Sequence, residues 1–193
     1  MKRFIDLLFS LFLFLLLMFP LLIVCFLIKL DSKGPVLNIS KRIGKNKKVF
    51  KMFKLRTMKL DTPNINSNDL KDPNMHITKF GKKLRKYSID ELPQIINIIL
   101  GDMSFVGPRP SLENQLDLIR KRDVYNIHVL KPGLTGLAQI NGRDNLTLDK
   151  KVEYDNLYLL NQSLLMDIKV LFKTLILVLN SKDIKHWKKK IKF

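Results

Sequence analysis

From Leu7 to Ile28 the chain carries no charged residue, and only Ser10 and Cys25 interrupt its hydrocarbon character. As a helix this run is roughly 33 Å long, enough to cross a bilayer core. Beyond Gly34 the pattern becomes that of an α/β domain, mainly helical with short strands. Alternating runs at Val36 to Ile39 and Val49 to Leu55 predict strands separated by a turn at Gly44-Lys-Asn46. Residues 59–75 are rich in Asn, Asp and Pro without apolar periodicity, which predicts a mobile loop. Phe80 to Tyr87 reads as a basic helix. Ser88-Ile-Asp-Glu91 matches a capping box, and Pro93 is tolerated only in a first turn. A helix should therefore start near Asp90, continue through Gln94 to Leu100 and stop at Gly101. Ser111 to Val124 predicts a further helix. Leu137 to Ile140 reads as a short strand between turns at Pro132 to Gly136 and Asn141-Gly-Arg143. Asp149 to Leu179 reads as mostly helical, with leucines at spacings of three and four.

The pattern divides the chain into a hydrophobic segment, residues 1–30, and one small domain, residues 31–193. Pro20 removes a hydrogen bond within the apolar helix and predicts a break there. Both flanks are basic, with Lys2 and Arg3 before and Lys29, Lys33, Lys41 and Arg42 after. The positive-inside tendency assigns both ends to the cytoplasm. Two arrangements stay open: a single span, or a helix that dips into one leaflet and returns. A cleaved signal sequence is disfavoured, because charged residues follow where a small-residue cleavage site is needed.

The formal charge of +18 demands an anionic partner. With a membrane segment present, anionic lipids and a phosphate-bearing substrate account for it. Nucleic acid is not expected, since most of the phenylalanines lie in the apolar run rather than among the basic residues. Cys25 is the only cysteine, so no intrachain disulfide forms. His76, His128 and His186 lack metal-ligand spacing. The tail from His186 to Phe193 joins a tryptophan to a lysine cluster, which suits either a membrane surface or a disordered basic end.

The candidate chemistry lies between Arg85 and Arg109. Asp90 and Glu91 are adjacent carboxylates bracketed by guanidiniums, a combination suited to handling phosphate. Each has a plainer role available: Glu91 as the acceptor of a capping box, Asp90 as a first-turn acid favoured by the helix dipole. Mg²⁺, commonly held by one or two carboxylates with substrate phosphates, would reconcile the two acids with a diphosphate. Arg109 sits between Pro108 and Pro110, a rigid presentation for a clamp. Lys54 and Arg56 are expected on one strand face. Gln139, Asn141 and Arg143 lie in a turn where side chains could meet a nucleotide, or simply form the turn.

At these residues the chain resembles the bacterial sugar transferases, the monotopic phosphoglycosyl transferases, in their minimal form. The resemblance rests on Phe53-Lys-Leu-Arg-Thr-Met58, Thr78-Lys-Phe-Gly-Lys-Lys-Leu-Arg85, Ser88-Ile-Asp-Glu-Leu-Pro-Gln94 and Gly101-Asp-Met-Ser-Phe-Val-Gly-Pro-Arg-Pro110. Pro132-Gly-Leu-Thr-Gly136, Gln139-Ile-Asn-Gly-Arg143 and Tyr154-Asp155 with Tyr158 complete it, in the family's order. It implies transfer of a sugar-1-phosphate from a UDP-sugar to undecaprenyl phosphate, initiating a surface glycan such as an O-antigen, capsule, exopolysaccharide or glycoprotein glycan. It further implies that Asp90 is the nucleophile, that Glu91 assists it, and that an Mg²⁺-dependent reaction passes through an aspartyl-phosphosugar. Lys54, Arg56, Arg85, Arg109, Gln139, Asn141 and Arg143 would bind substrate, and Asp90 and Glu91 would hold the metal. The resemblance also implies a re-entrant helix broken near Pro20, a bacterial inner-membrane location with the domain on the cytoplasmic face, and room for a homodimer. Two positions depart from the family pattern: Phe19 stands where serine often precedes the membrane proline, and Lys131 where arginine usually opens the turn. The competing classes are a non-catalytic scaffold that binds anionic lipid, and a phosphatase that would deliver its phosphosugar to water.

Overall fold

The computed structural model describes residues 1–60, 62 and 73–180. The loop expected over residues 59–75 lies mostly, and the basic tail wholly, outside them. Helix α1 (Lys2–Asp31) is long and apolar enough to cross a membrane. It is helical at every residue through Pro20, so the expected break is not a gap in the helix. Proline's own φ is helical, and the cost is confined to one missing donor and its displaced carbonyl.

Both ends of α1 are fastened to the same domain. At the start, Lys2 pairs with Asp167, and the Arg3 guanidinium donates to the carbonyls of Ile98 and Ile99. Asp6, itself buried, accepts from the Ser104 hydroxyl at 2.8 Å. At the far end, Asp31 accepts from the Phe80 amide, and the Ser32 and Lys33 carbonyls accept from Arg56 at 2.7 and 2.8 Å. Ile28 is buried with Leu55 and Leu84. Between these anchors Phe12, Leu15, Leu16, Phe19, Leu22 and Phe26 stay exposed.

Strands β1 (Leu37–Ile43) and β2 (Val49–Leu55) form an antiparallel hairpin, with Asn38 opposite Lys54 and Arg42 opposite Phe50. After α2 (Pro73–His76) comes α3 (Lys79–Lys86), capped by the Thr78 hydroxyl, and then α4 (Gln94–Leu100), which ends at Gly101 with φ 93° as read from the sequence. Asn97 of α4 is fully buried and serves as an edge partner for β2: its Oδ1 accepts from the Phe53 amide at 3.0 Å, and its Nδ2 donates to the Lys51 carbonyl at 2.7 Å. Those two bonds fix the hairpin against α4.

Further along, the elements are β3 (Ser104–Val106), α5 (Leu116–Val124), β4 (Gly133–Thr135), α6 (Leu137–Ile140), α7 (Leu148–Leu160) and α8 (Leu164–Asn180). Here three expectations change. Helix α5 starts five residues late, because Leu112 donates its amide to the Gln115 side chain in a local turn. The strand falls on Gly133–Thr135, parallel to β3, while Leu137–Ile140 is helical; backbone pairing with β3 outranks local propensity. The long C-terminal helix is two, parted near Gln162. The main core gathers Met52, Ile98, Met103, Phe105, Val106, Tyr158 and Val170. Of the leucine stripe only Leu171 packs against it; Leu157, Leu160, Leu164, Ile168 and Leu175 are exposed and form a second apolar face.

Candidate active site

Ser88 adopts a left-handed conformation at φ 54° and makes no side-chain cap, so the expected capping box does not form. The chain instead tightens into a 3-10 turn over Ile89–Glu91, and Pro93 leads into α4. That turn carries Asp90 and Glu91, both buried, on one short piece of backbone.

Three segments distant in sequence converge on Glu91, all on its Oε1. Lys54 from β2 donates at 2.7 Å, both terminal nitrogens of Arg109 lie at 3.3 Å, and Arg143 donates at 3.1 Å. Burial alone would raise this carboxyl, but the charges of Lys54, Arg109 and Arg143 outweigh it and hold Glu91 well below the ordinary range. Asp90 is the opposite case. Burial and the neighbouring Glu91 charge push it up, with Lys54, Arg85 and Arg143 only partly opposing, and its carboxylate makes no hydrogen bond among the described residues. One acid is held by three cations; the other accepts no hydrogen bond among the described residues.

Arg109 and Arg85 are held from behind. Arg109 depends on a crossing of Gly107 over β4, where the Gly107 amide donates to the Thr135 carbonyl at 2.9 Å and Gly133 donates to the Pro108 carbonyl at 2.8 Å. A Cβ on Gly133 would lie 2.1 Å from the Gly107 nitrogen, so only glycine permits this approach. Buried Arg122 donates to the Arg109 carbonyl and forms an ion pair with Asp155. Arg85 donates to the Thr57 hydroxyl at 2.9 Å and reaches the dyad through its charge.

The structure thus brings Lys54, Arg85, Arg109 and Arg143 to the dyad, and not the other candidates. Arg56, next but one to Lys54, turns away to bind the end of α1 and is a joint between helix and hairpin. Asn141 folds back on the Leu137 carbonyl. Gln139 has both amide atoms buried without a partner among the described residues. Lys131 lies beside Arg3, away from the dyad, its ammonium pushed down by burial and that neighbour.

Sequence reading missed Arg42 and Arg122. Arg42 shares the hairpin face of Lys54, and burial, followed by the charge of Arg109, pulls its pKa to about 10. Its Nε donates to Ser40, and its terminal nitrogens pair with no carboxylate among the described residues. Strand alternation from Lys54 through the turn is the only signal that could have found it. Arg122 had none, as its partner Asp155 is distant in sequence.

The two acids have opposite pH signatures. Glu91, with a depressed folded pKa, contributes stability fully present above its unfolded value of about 4.3 and lost as pH falls through the folded value. For Asp90 the native state holds the extra proton between about 3.9 and its raised value, so its ionisation lowers stability as pH rises through that window. In protein stripped of divalent metal, the Asp90 carboxyl followed by NMR should therefore titrate above the ordinary aspartate range. A titration at or below about pH 3.9 would contradict this.

Comparison with known proteins places the chain. The sequence model of the bacterial sugar transferase family matches residues 1–181. An uncharacterized sugar transferase, EpsL, of Bacillus subtilis (strain 168) is 40% identical over 96% of this chain and 91% of its own length. A UDP-N-acetylgalactosamine-undecaprenyl-phosphate N-acetylgalactosaminephosphotransferase of Aeromonas hydrophila is 36% identical over 77% of this chain, and a UDP-glucose:undecaprenyl-phosphate glucose-1-phosphate transferase of Klebsiella pneumoniae 37% identical over 90%. This chain spans 36% and 39% of those two relatives. By sequence, over nearly its whole length, the chain belongs to the bacterial sugar transferase family.

Proposed function

We propose that this protein transfers a sugar-1-phosphate from a UDP-sugar to undecaprenyl phosphate at the cytoplasmic face of a bacterial inner membrane, through a covalent intermediate on Asp90. The observation that carries the reading is the electrostatic division of the dyad: Glu91 is bound by three cations, while Asp90 is buried, unbonded and raised. The names of the Aeromonas and Klebsiella relatives supply the donor and acceptor classes.

In the first step a carboxylate oxygen of Asp90 attacks the sugar-bearing phosphorus. The bond to the bridging oxygen breaks, and UMP leaves with that oxygen and its electron pair. In the second step a phosphate oxygen of the lipid attacks the same phosphorus, Asp90 departs as carboxylate, and a sugar-diphospho-lipid forms. Dividing the displacement lowers each barrier. Lys54, Arg109 and Arg143 place positive charge where the diphosphate must sit. Arg109 holds Glu91 at long distances, which leaves its fork free to turn toward phosphate.

The residues also fit Mg²⁺. Asp90 and the second oxygen of Glu91 accept no hydrogen bond among the described residues, and Mg²⁺ takes one or two carboxylates with substrate phosphates. Bound there by Asp90 and Glu91, the ion would neutralise diphosphate charge.

Arg109→Lys retains charge and loses the fork. Turnover should fall by at least about tenfold, or about 1.4 kcal/mol; equal rates would reduce Arg109 to a general source of potential. Membrane geometry is supported by the anchors at both ends of α1, which put Lys2 and Asp31 on one folded domain. With Cys25→Ser, cysteines at Lys2 and Lys33 should both react with an impermeant reagent from the cytoplasmic side only. Labelling of the Lys2 site from the periplasm would establish a span. The reaction itself is tested with purified protein, Mg²⁺, a panel of UDP-sugars and undecaprenyl phosphate: sugar-diphospho-lipid should form. Free sugar phosphate in place of lipid product would make the protein a phosphatase.

A further inference from the structure

Beside the dyad lies a cavity of about 120 Å³ whose lining is wholly apolar. Leu21 and Cys25 of α1 wall one side, Leu55 of β2 another, and Leu92, Pro93 and Ile96 the third. Leu92 and Pro93 directly follow Glu91, so this cavity adjoins the turn that presents Asp90. On its other side α1 continues into the exposed apolar face of Leu22 and Phe26.

A cavity without polar partners does not hold water well, and an engineered one of about 150 Å³ takes benzene. This one is of the size for a single branched five-carbon unit. A nucleotide or sugar would lose its hydration there without recompense. The hydrocarbon nearest the phosphate of a lipid acceptor has the opposite need: its phosphate must reach Asp90 while the carbons beside it remain in apolar surroundings. We propose that this cavity between α1, β2 and the segment after Glu91 receives the first isoprenoid unit of the acceptor, and so selects a branched polyprenyl phosphate over straight-chain lipids. The assignment rests on the acceptor class proposed above.

Cys25 is the sole cysteine and reports on the cavity in the unaltered protein. In detergent, undecaprenyl phosphate should slow its alkylation by N-ethylmaleimide several-fold, whereas phosphatidylglycerol and a UDP-sugar should not. Equal protection by phosphatidylglycerol, or none by undecaprenyl phosphate, would overturn the proposal. This readout needs no turnover, so a protein that never releases UMP would fail the proposed reaction and still report on the cavity. In a second arm, Ile96→Trp fills the space. Normalised to the amplitude of UMP release without acceptor, its KM for undecaprenyl phosphate should rise by about tenfold, or about 1.4 kcal/mol; an unchanged KM would contradict the assignment.

Discussion

Asp90→Asn is expected to abolish transfer, by at least about a thousandfold or about 4 kcal/mol of barrier, while leaving the protein as stable as before or more so. The amide has the same shape but no attacking charge. The native carboxylate accepts no hydrogen bond among the described residues and is raised by burial and by Glu91. Its neutral replacement removes a desolvation cost and one of two adjacent like charges. UMP release without acceptor should disappear along with lipid product. Thermal unfolding in detergent should show no loss of midpoint. Retention of appreciable turnover would remove Asp90 from the covalent role, and a collapse of stability would make it a structural acid.

Glu91→Gln should behave in the opposite way at the adjacent residue. Glu91 is the shared anion of Lys54, Arg109 and Arg143, and neutralising it leaves three converging cations with a single weak acceptor. Removing one partner of a buried ion pair typically costs about 3–5 kcal/mol, and the lower end applies because Arg109 and Arg143 retain contact with water. Turnover should fall at least about a hundredfold, or about 2.7 kcal/mol, together with a lowered unfolding midpoint. High salt, or an anionic ligand such as UDP, should restore part of the stability by supplying the missing negative charge. If Glu91→Gln were as stable as the parent, the cations would be held by something other than Glu91.

The parts that were legible in the sequence are those with local causes. The uncharged run from Leu7 to Ile28 reads directly as a long helix, the hairpin follows from its alternation, and Gly101 marks a helix end by its left-handed backbone. Ser88-Ile-Asp-Glu91 misleads for a physical reason: the capping-box pattern assumes that Glu91 has nothing better to bind than a backbone amide, and three distant cations offer more. The same long-range pairing explains why Lys54 and Arg56 part company. Arg56 is drawn to the carbonyls at the end of α1, which no local rule connects to β2. The leucines of α7 and α8 display helical spacing, but spacing alone does not say whether protein or lipid covers the face, and here protein covers Leu171 and leaves Leu157, Leu160, Leu164 and Leu175 exposed. Arg42 and Arg122 take their roles from register and tertiary pairing, neither of which is written in a single stretch of chain.

The most direct measurement of the covalent claim is the intact mass of the wild-type protein after mixing with Mg²⁺ and its UDP-sugar, with no lipid present. The account predicts a single added phosphosugar, located on Asp90, formed with release of one UMP and discharged when undecaprenyl phosphate is supplied. An unmodified mass in protein that nevertheless makes sugar-diphospho-lipid once acceptor is added would contradict it, and would require the lipid phosphate to attack the UDP-sugar directly.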